Sequence, residues 1–383
     1  MLNQNSLYKK HYIFQDVTHQ KELELPTIYK TLKASIIKNN AVKTYYYRGT
    51  SSMKHNVLNK KIIKLTLVVT MFTLLTASNF LNKNKLSDKK VLHVESYHAG
   101  FTWSDGISKA ITDIMAQNNV TLKTIHMDTK RNKDEASIKK AALHAKKIIK
   151  EYKPDLVIAT DDNASKYLIV PYFMKSDIPF VFAGLNWDAS KYNFPQNHIT
   201  GMVEVNSVDE LLELVHTLTP SNGKRIALLS ADTLSAYKES LYTRKLFNVD
   251  FVAEEHVSNF EEWKRKFIEL QDKADILYLN NMQTLDGFNE KEALDFIDKH
   301  TKIVTCSTLD FLADFVAISY ARLSSEQGEW AASTAIKILQ GTHPADIPVT
   351  KNRKGKIYLN TSLLDKLKVD IPPELLEVAA IID

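Results

Sequence analysis

Apolar segments in this sequence repeatedly run into short clusters of aromatic, acidic and amide residues, and those clusters hold the side chains capable of chemistry. VLHVE is followed by SYHAGFTWSDG, which brings Tyr97, Trp103, Ser104 and Asp105 close together. DLVIAT runs into DDNAS, with Asp161, Asp162 and Asn163, and PFVFAG runs into LNWDAS, with Asn186 and Trp187. Further on, SADTLSAY supplies Asp232 and Tyr237, NNMQT supplies Asn280 and Asn281, and STLDF supplies Thr308 and Asp310. Tyr97, Trp103 and Trp187 are suited to walling a small apolar or aromatic ligand. Asp161, Asp162 or Asp232 can pair an ammonium group, although one of the adjacent aspartates is also expected to cap a helix. Ser104 or Asp105 reads first as an ordinary cap of the next helix, whose free N–H groups would also receive a carboxylate.

Catalytic signatures are missing from the sequence. There is no GxSxG elbow, HExxH pair, P-loop or GxGxxG turn. Twelve histidines are present, but none forms a close pair in a metal-ligand context. His93 inside an apolar run reads as a satisfied or surface histidine, and His144 on a lysine-rich stretch reads as solvated. The single cysteine, Cys306, closes no intramolecular disulfide and builds no cysteine zinc cluster, so it is expected to behave as a small hydrophobe. Binding without catalysis, cofactor or metal is the expectation.

The elements that carry these clusters alternate. Strands are expected at 91–96, 120–127, 155–160, 179–184 and 199–205, with helices at 104–117, 134–152 and near 163–170. After the turn Pro220-Ser221-Asn222-Gly223 the order restarts, with strands at 225–231, 249–255, 275–281, 302–307 and 315–321 and amphipathic helices between them. Strand and helix in alternation imply an α/β fold with a parallel sheet covered on both faces. Two such units in series imply two similar lobes, with the polar clusters at carboxyl ends of strands, where open α/β sheets hold ligands. Six clusters divided between two lobes place a cleft between them.

At 383 residues, 44% hydrophobic and 25% charged, the chain has the size and composition for about two globular domains. The formal net charge of +5 averages two unlike parts, because residues 1–90 hold 16 Lys+Arg against 4 Asp+Glu. The remainder holds 34 against 41 and is acidic, which removes the argument for nucleic acid. The basic KNRKGK run and the lysines at 139–153 read as solvated surface. LTLVVTMFTLLTA at 65–77 follows basic residues and precedes small and polar ones, the order of a secretory signal. Residues 53–78 are therefore expected to be a signal peptide or membrane anchor. Residues 1–52 are expected to be a non-native or disordered extension, with translation starting at Met53, the alternative being a cytoplasmic extension of an anchored protein that starts at Met1. The protein is expected to be periplasmic or otherwise extracytoplasmic.

SYHAGFTWSDGI, PFVFAGLNWDASKYNFPQNHITGMVE, EQGEWAASTAIKILQGTHPADIPV and YLNTSLLDKLKVDIPPELLEVA, in that order, resemble the ABC transporter substrate-binding proteins related to tryptophan and tyrosine binders. The resemblance spans about residues 88–383. It implies a type I periplasmic-binding fold: two Rossmann-like lobes with parallel sheets, joined by a multi-strand hinge that closes on a ligand. Lobe 1 is then expected to comprise 88–205 and about 308–345, and lobe 2 to comprise 206–307 and about 346–383. The clusters named above would line the site. Where family members carry a glycine-containing loop before the EQG helix, this chain has ARLSSEQG. The partners implied are a small-molecule ligand, for example an amino acid, and an ABC permease, with the protein itself a monomer. The same kind of domain also serves sensor histidine kinases and cyclases, which is the alternative expectation.

Overall fold

The computed structural model describes residues 86–219 and 223–383; the expected extension at 1–52 and signal segment at 53–78 lie outside them. In chain order the strands are β1 (Lys90–Glu95), β2 (Thr121–His126), β3 (Leu156–Thr160), β4 (Phe180–Asn186), β5 (Ile199–Glu204), β6 (Ile226–Ala231) and β7 (Phe251–Val257). They continue with β8 (Ile276–Leu279), β9 (Val304–Ser307), β10 (Ile318–Arg322), β11 (Thr350–Lys351), β12 (Gly355–Asn360) and β13 (Ala380–Ile382). One sheet has the order β11-β5-β4-β3-β1-β2 and the other β13-β12-β10-β9-β8-β6-β7. Every pairing is parallel except β10 with β12.

Burial explains why the apolar runs form central strands. Leu156–Thr160 and Ile226–Ala231 are buried at every position, as a strand covered on both faces must be. Helix Glu135–Tyr152 buries Ile138, Ala142, Ala145 and Ile149 at helical spacing, with its N-cap Asp134 accepting from Ser137 N. His93 is fully buried, with Nε2 3.2 Å from Thr160 Oγ1, and burial followed by His126 lowers its pKa to about 3. Cys306 is fully buried and burial pushes its thiol pKa up, so it is an inert core residue. The stretch between Val205 and Pro220 forms helix Val208–Leu218, which buries Leu211, Leu214, Val215 and Leu218.

The return segments differ from the expected division. Ile318–Arg322 was expected to return to the first lobe, but it joins the second sheet, parallel to β9 and antiparallel to β12. Helix Ser324–Leu339 and β11 are what return to the first lobe, the helix against helix Thr102–Gln117 and the strand against β5. Lobe membership of β10 is a matter of long-range pairing, which local periodicity does not encode.

The EQG sequence at the start of helix Ser324–Leu339 has a separate physical reason for each letter. Glu326 accepts from Arg353 N and Lys354 N in the chain crossing beside it. Gln327 accepts from Gly184 N at 2.9 Å and donates to Val203 O at 3.3 Å, pinning the helix to β4 and β5. At Gly328 an added Cβ would meet Ile107 O at 2.2 Å and Ala110 Cβ at 2.9 Å. Only a hydrogen lets the two helices approach this closely. Gly328→Ala is expected to destabilise the protein by about 1–3 kcal/mol, read as a lower urea midpoint with unchanged slope.

Candidate functional site

The chain passes between the lobes at 205–207, at Leu323 and at 352–354. Asn352 stitches two of these passages, accepting from Val205 N at 2.8 Å and donating to Val205 O at 3.0 Å. Arg322, at the end of β10, donates from Nε and Nη2 to Glu204 Oε1, at the end of β5, at 3.0 and 2.9 Å. Its Nη1 donates to Asn206, and Asn206 donates onward to Glu239. Tyr278 O–H reaches Glu239 at 3.4 Å and lies 2.8 Å from Thr308 Oγ1. Carboxyl ends of strands from both sheets thus meet along one polar network, the geometry that an interlobe ligand site requires.

On the first lobe this junction is aromatic and acidic. The Arg322 guanidinium lies over the Trp103 ring at 5.0 Å. Tyr97 faces Asp161, Asp162 and Glu204, and burial, then those carboxylates, push its phenol pKa up. Lys130 lies 4.7 Å from the centroids of both Tyr97 and Phe101. The two aspartates have different roles. Asp162 is satisfied: Asn186 Nδ2 donates to it at 2.7 Å, Tyr192 O–H at 2.7 Å, and Lys191 Nζ lies 2.8 Å away. Asp161 is 3% exposed with Oδ2 buried and unpartnered, and its φ of +66° is a conformation non-glycine residues adopt only when the surroundings impose it. Burial, with Glu204, Glu95 and Asp162, holds its carboxyl pKa well above the usual range. Neither aspartate is the cap expected of one of them; the cap residue is Thr160, with no side-chain bond.

Other expected residues have different surroundings. The helix expected to open at Ser104 begins at Thr102, capped by Phe101 without a side-chain bond. Ser104 is buried with its Oγ unpartnered, and Asp105 accepts from Gly100 N at 3.0 Å instead of capping. Trp187 stacks one ring face on Tyr242 of the second lobe, centroids 5.2 Å apart and planes 7° from parallel. Asp188 and Lys245 form a 3.2 Å ion pair beside that stack. Asn163 turns away to donate to Thr129 Oγ1 at 2.8 Å.

The second lobe brings Asn280 and Thr308 to the network, where Asn280 bonds Glu239 and burial raises the Glu239 pKa. Asp232 is exposed and holds Tyr237, whose ring lies 4.1 Å from His256. Asn281 accepts from Gln283 N and Asp310 from Phe311 N, both as loop-shaping contacts. Arg322, Glu204, Asn206, Glu239 and Tyr192 complete the junction but stand in strands, a crossing segment and helices, where no cluster of polar residues flags them. A separate hollow of about 700 Å³ touches Thr217, Asp275, Lys302 and Asp370. It lies at the amino-terminal ends of β8 and β9, away from the aromatic and acidic residues and at the opposite end of the sheet from ligand sites.

The hinge also carries a titrating group. Burial raises the Glu326 pKa from 4.5 to about 7, outweighing the backbone N–H groups of Arg353 and Lys354 that favour its charged form. A carboxyl with a raised folded pKa contributes stability that is full below the unfolded value and lost as pH rises through the folded one. Stability is therefore expected to decline between about pH 4.5 and pH 7. Glu326→Gln should flatten that decline in urea titrations at a series of pH values, and an unaltered profile would assign the decline to other groups.

Residues 91–382 match the family model described as ABC transporter substrate binding protein. A tyrosine-binding protein from Clostridioides difficile is 25% identical over 232 residues, covering 56% of this chain and 63% of that relative, so the match spans less than two thirds of its length. Among solved structures, a ligand-free, open substrate binding protein with adhesive properties from Clostridium difficile aligns over 77% of this chain and 99% of its own, at 16% identity and a TM-score of 0.59. An ABC domain in complex with L-Trp from Streptococcus pneumonia aligns over the same shares at 19% identity and a TM-score of 0.47. The two mostly parallel sheets described above are the architecture of the type I periplasmic-binding fold. No helix among the described residues is long and apolar enough to cross a membrane.

Proposed function

Because the chain belongs to the ABC transporter substrate-binding family, whose members bind ligands and do not turn them over, we propose that it captures a small aromatic amino acid or related amine between its lobes and delivers it to an ABC permease. The observation that carries this reading is the buried, unpartnered Asp161 oxygen, with Tyr97 near it and Trp103 at the Arg322 end of the same junction. A carboxylate with no partner seeks an ammonium, and aromatic walls next to it favour a ring or an apolar body. Asp162 and Asp232 are already engaged, so the ammonium falls to Asp161. The tyrosine-binding relative supports the same ligand class. The family is extracytoplasmic in character, which agrees with export through the segment at 53–78.

A thermal-shift panel of the full chain tests the reading. A ligand at 100 times its dissociation constant adds about 2.7 kcal/mol to the folded state, a clearly raised Tm. L-tyrosine, L-tryptophan or a related amine is expected to give that shift while sugars and organic acids do not. A shift from sugars or organic acids alone would overturn the ligand class.

A further inference from the structure

Asp161 Oδ2 is buried without a hydrogen-bond partner, and the charges around it are mostly carboxylates, with Lys130 a partial offset. Burial, then Glu204 at the end of β5, Glu95 at the end of β1 and the adjoining Asp162 oppose ionisation of Asp161, while Lys130 in the loop after β2 favours it. Arg322 already engages Glu204, and Ser108 with His126 engages Glu95, whose Oε1 is buried and unpartnered. The Lys130 ammonium lies over the Tyr97 and Phe101 rings. β4 contributes Gly184, where an added Cβ would stand 3.2 Å from Asp161 Oδ1, and helix Thr102–Gln117 brings the apolar Ile107 to 3.5 Å from the same point. Carboxylates crowded in a low-dielectric site do not all stay ionised, and a proton on one of them relieves the repulsion.

Resting on the reading that the ligand bears a basic nitrogen, we propose that capture is an exchange in which the ligand's ammonium replaces a proton on Asp161. The O–H bond of the Asp161 carboxylic acid breaks, the proton passes to bulk water or buffer, and an N–H of the intact ammonium donates to the carboxylate left behind. No oxidant or co-reactant is needed. Two consequences follow. Ligands without a basic nitrogen are rejected because they leave the acid protonated and unrewarded. Affinity rises with pH by up to about tenfold per unit while the empty site holds its proton, so acidification releases the ligand.

Calorimetric titration of the full chain with L-tyrosine and with tyramine, in two buffers of different ionisation enthalpy at one pH, tests the exchange. The expected result is a buffer-dependent enthalpy corresponding to proton release. Asp161→Asn should abolish both the buffer dependence and the pH slope of the affinity. Infrared difference spectra of the wild-type chain supply a second readout that needs no variant: a protonated carboxyl band should disappear on binding. Tight binding with a buffer-independent enthalpy and no such band would overturn the exchange while leaving the amine reading intact. Equal binding of the deaminated analogue of tyrosine, or no binding by either amine, would overturn both.

Discussion

Arg322→Met is expected to destabilise the protein by about 3 kcal/mol, because it leaves Glu204 buried without its cation. Glu204 is 6% exposed, and burial already raises its carboxyl pKa even with Arg322 in place. The loss also frees Asn206 and strips the guanidinium from the Trp103 face, so two crossings and one site wall are affected together. Urea denaturation reads the effect directly. Adding Glu204→Gln removes the uncompensated charge and is expected to recover most of the stability. A single variant with an unchanged midpoint would show that the pair does not hold the hinge.

Trp103→Ala should weaken ligand binding by about 10- to 100-fold, the equivalent of about 1.4–2.8 kcal/mol. The ring stands at the start of helix Thr102–Gln117, half-buried between Arg322 and the acidic end of the first sheet. Removing it takes away an apolar wall and the surface that orients the guanidinium. Trp103→Phe keeps an aromatic face and is expected to retain most of the affinity. Calorimetry with L-tyrosine separates the two, and wild-type affinity in Trp103→Ala would exclude the ring from the site.

The fold was legible where burial dictates composition. Leu156–Thr160 and Ile226–Ala231 read as strands because a parallel strand covered on both faces has to be apolar at nearly every position. The membership of β10 was not legible, since an antiparallel partner 33 to 41 residues onward leaves no local trace. At the junction between the lobes, the strand-end rule picked out Tyr97, Trp103, Asp161, Asn280 and Thr308, which the structure brings near one polar network. It gave no way to tell Asp161 from Asp162, whose difference lies in three partners, Asn186, Lys191 and Tyr192, fixed only by tertiary structure. Trp187 has the composition of a ligand wall, and nothing in its sequence signals that one face is stacked on Tyr242 of the other lobe. Arg322 and Glu204 were hidden because each ends an otherwise apolar strand, where a charged residue looks like ordinary strand termination.

The EQG helix start shows the opposite case, a short motif whose meaning is structural. Its three residues tie the third crossing, anchor two strands and permit a close helix contact. The missing glycine in the preceding ARLSS has no counterpart in strain: Leu323 caps the helix with an ordinary extended backbone at φ −103°.

Hydrogen exchange of the full chain with and without a saturating ligand from the thermal-shift panel tests interlobe capture most directly. The expected result is simultaneous protection of the segments around Tyr97–Asp105 and Asp161–Asn163 in one lobe and around Glu239, Asn280 and Thr308 in the other. Protection confined to a single lobe, or centred on the hollow beside Thr217 and Asp370, would contradict it.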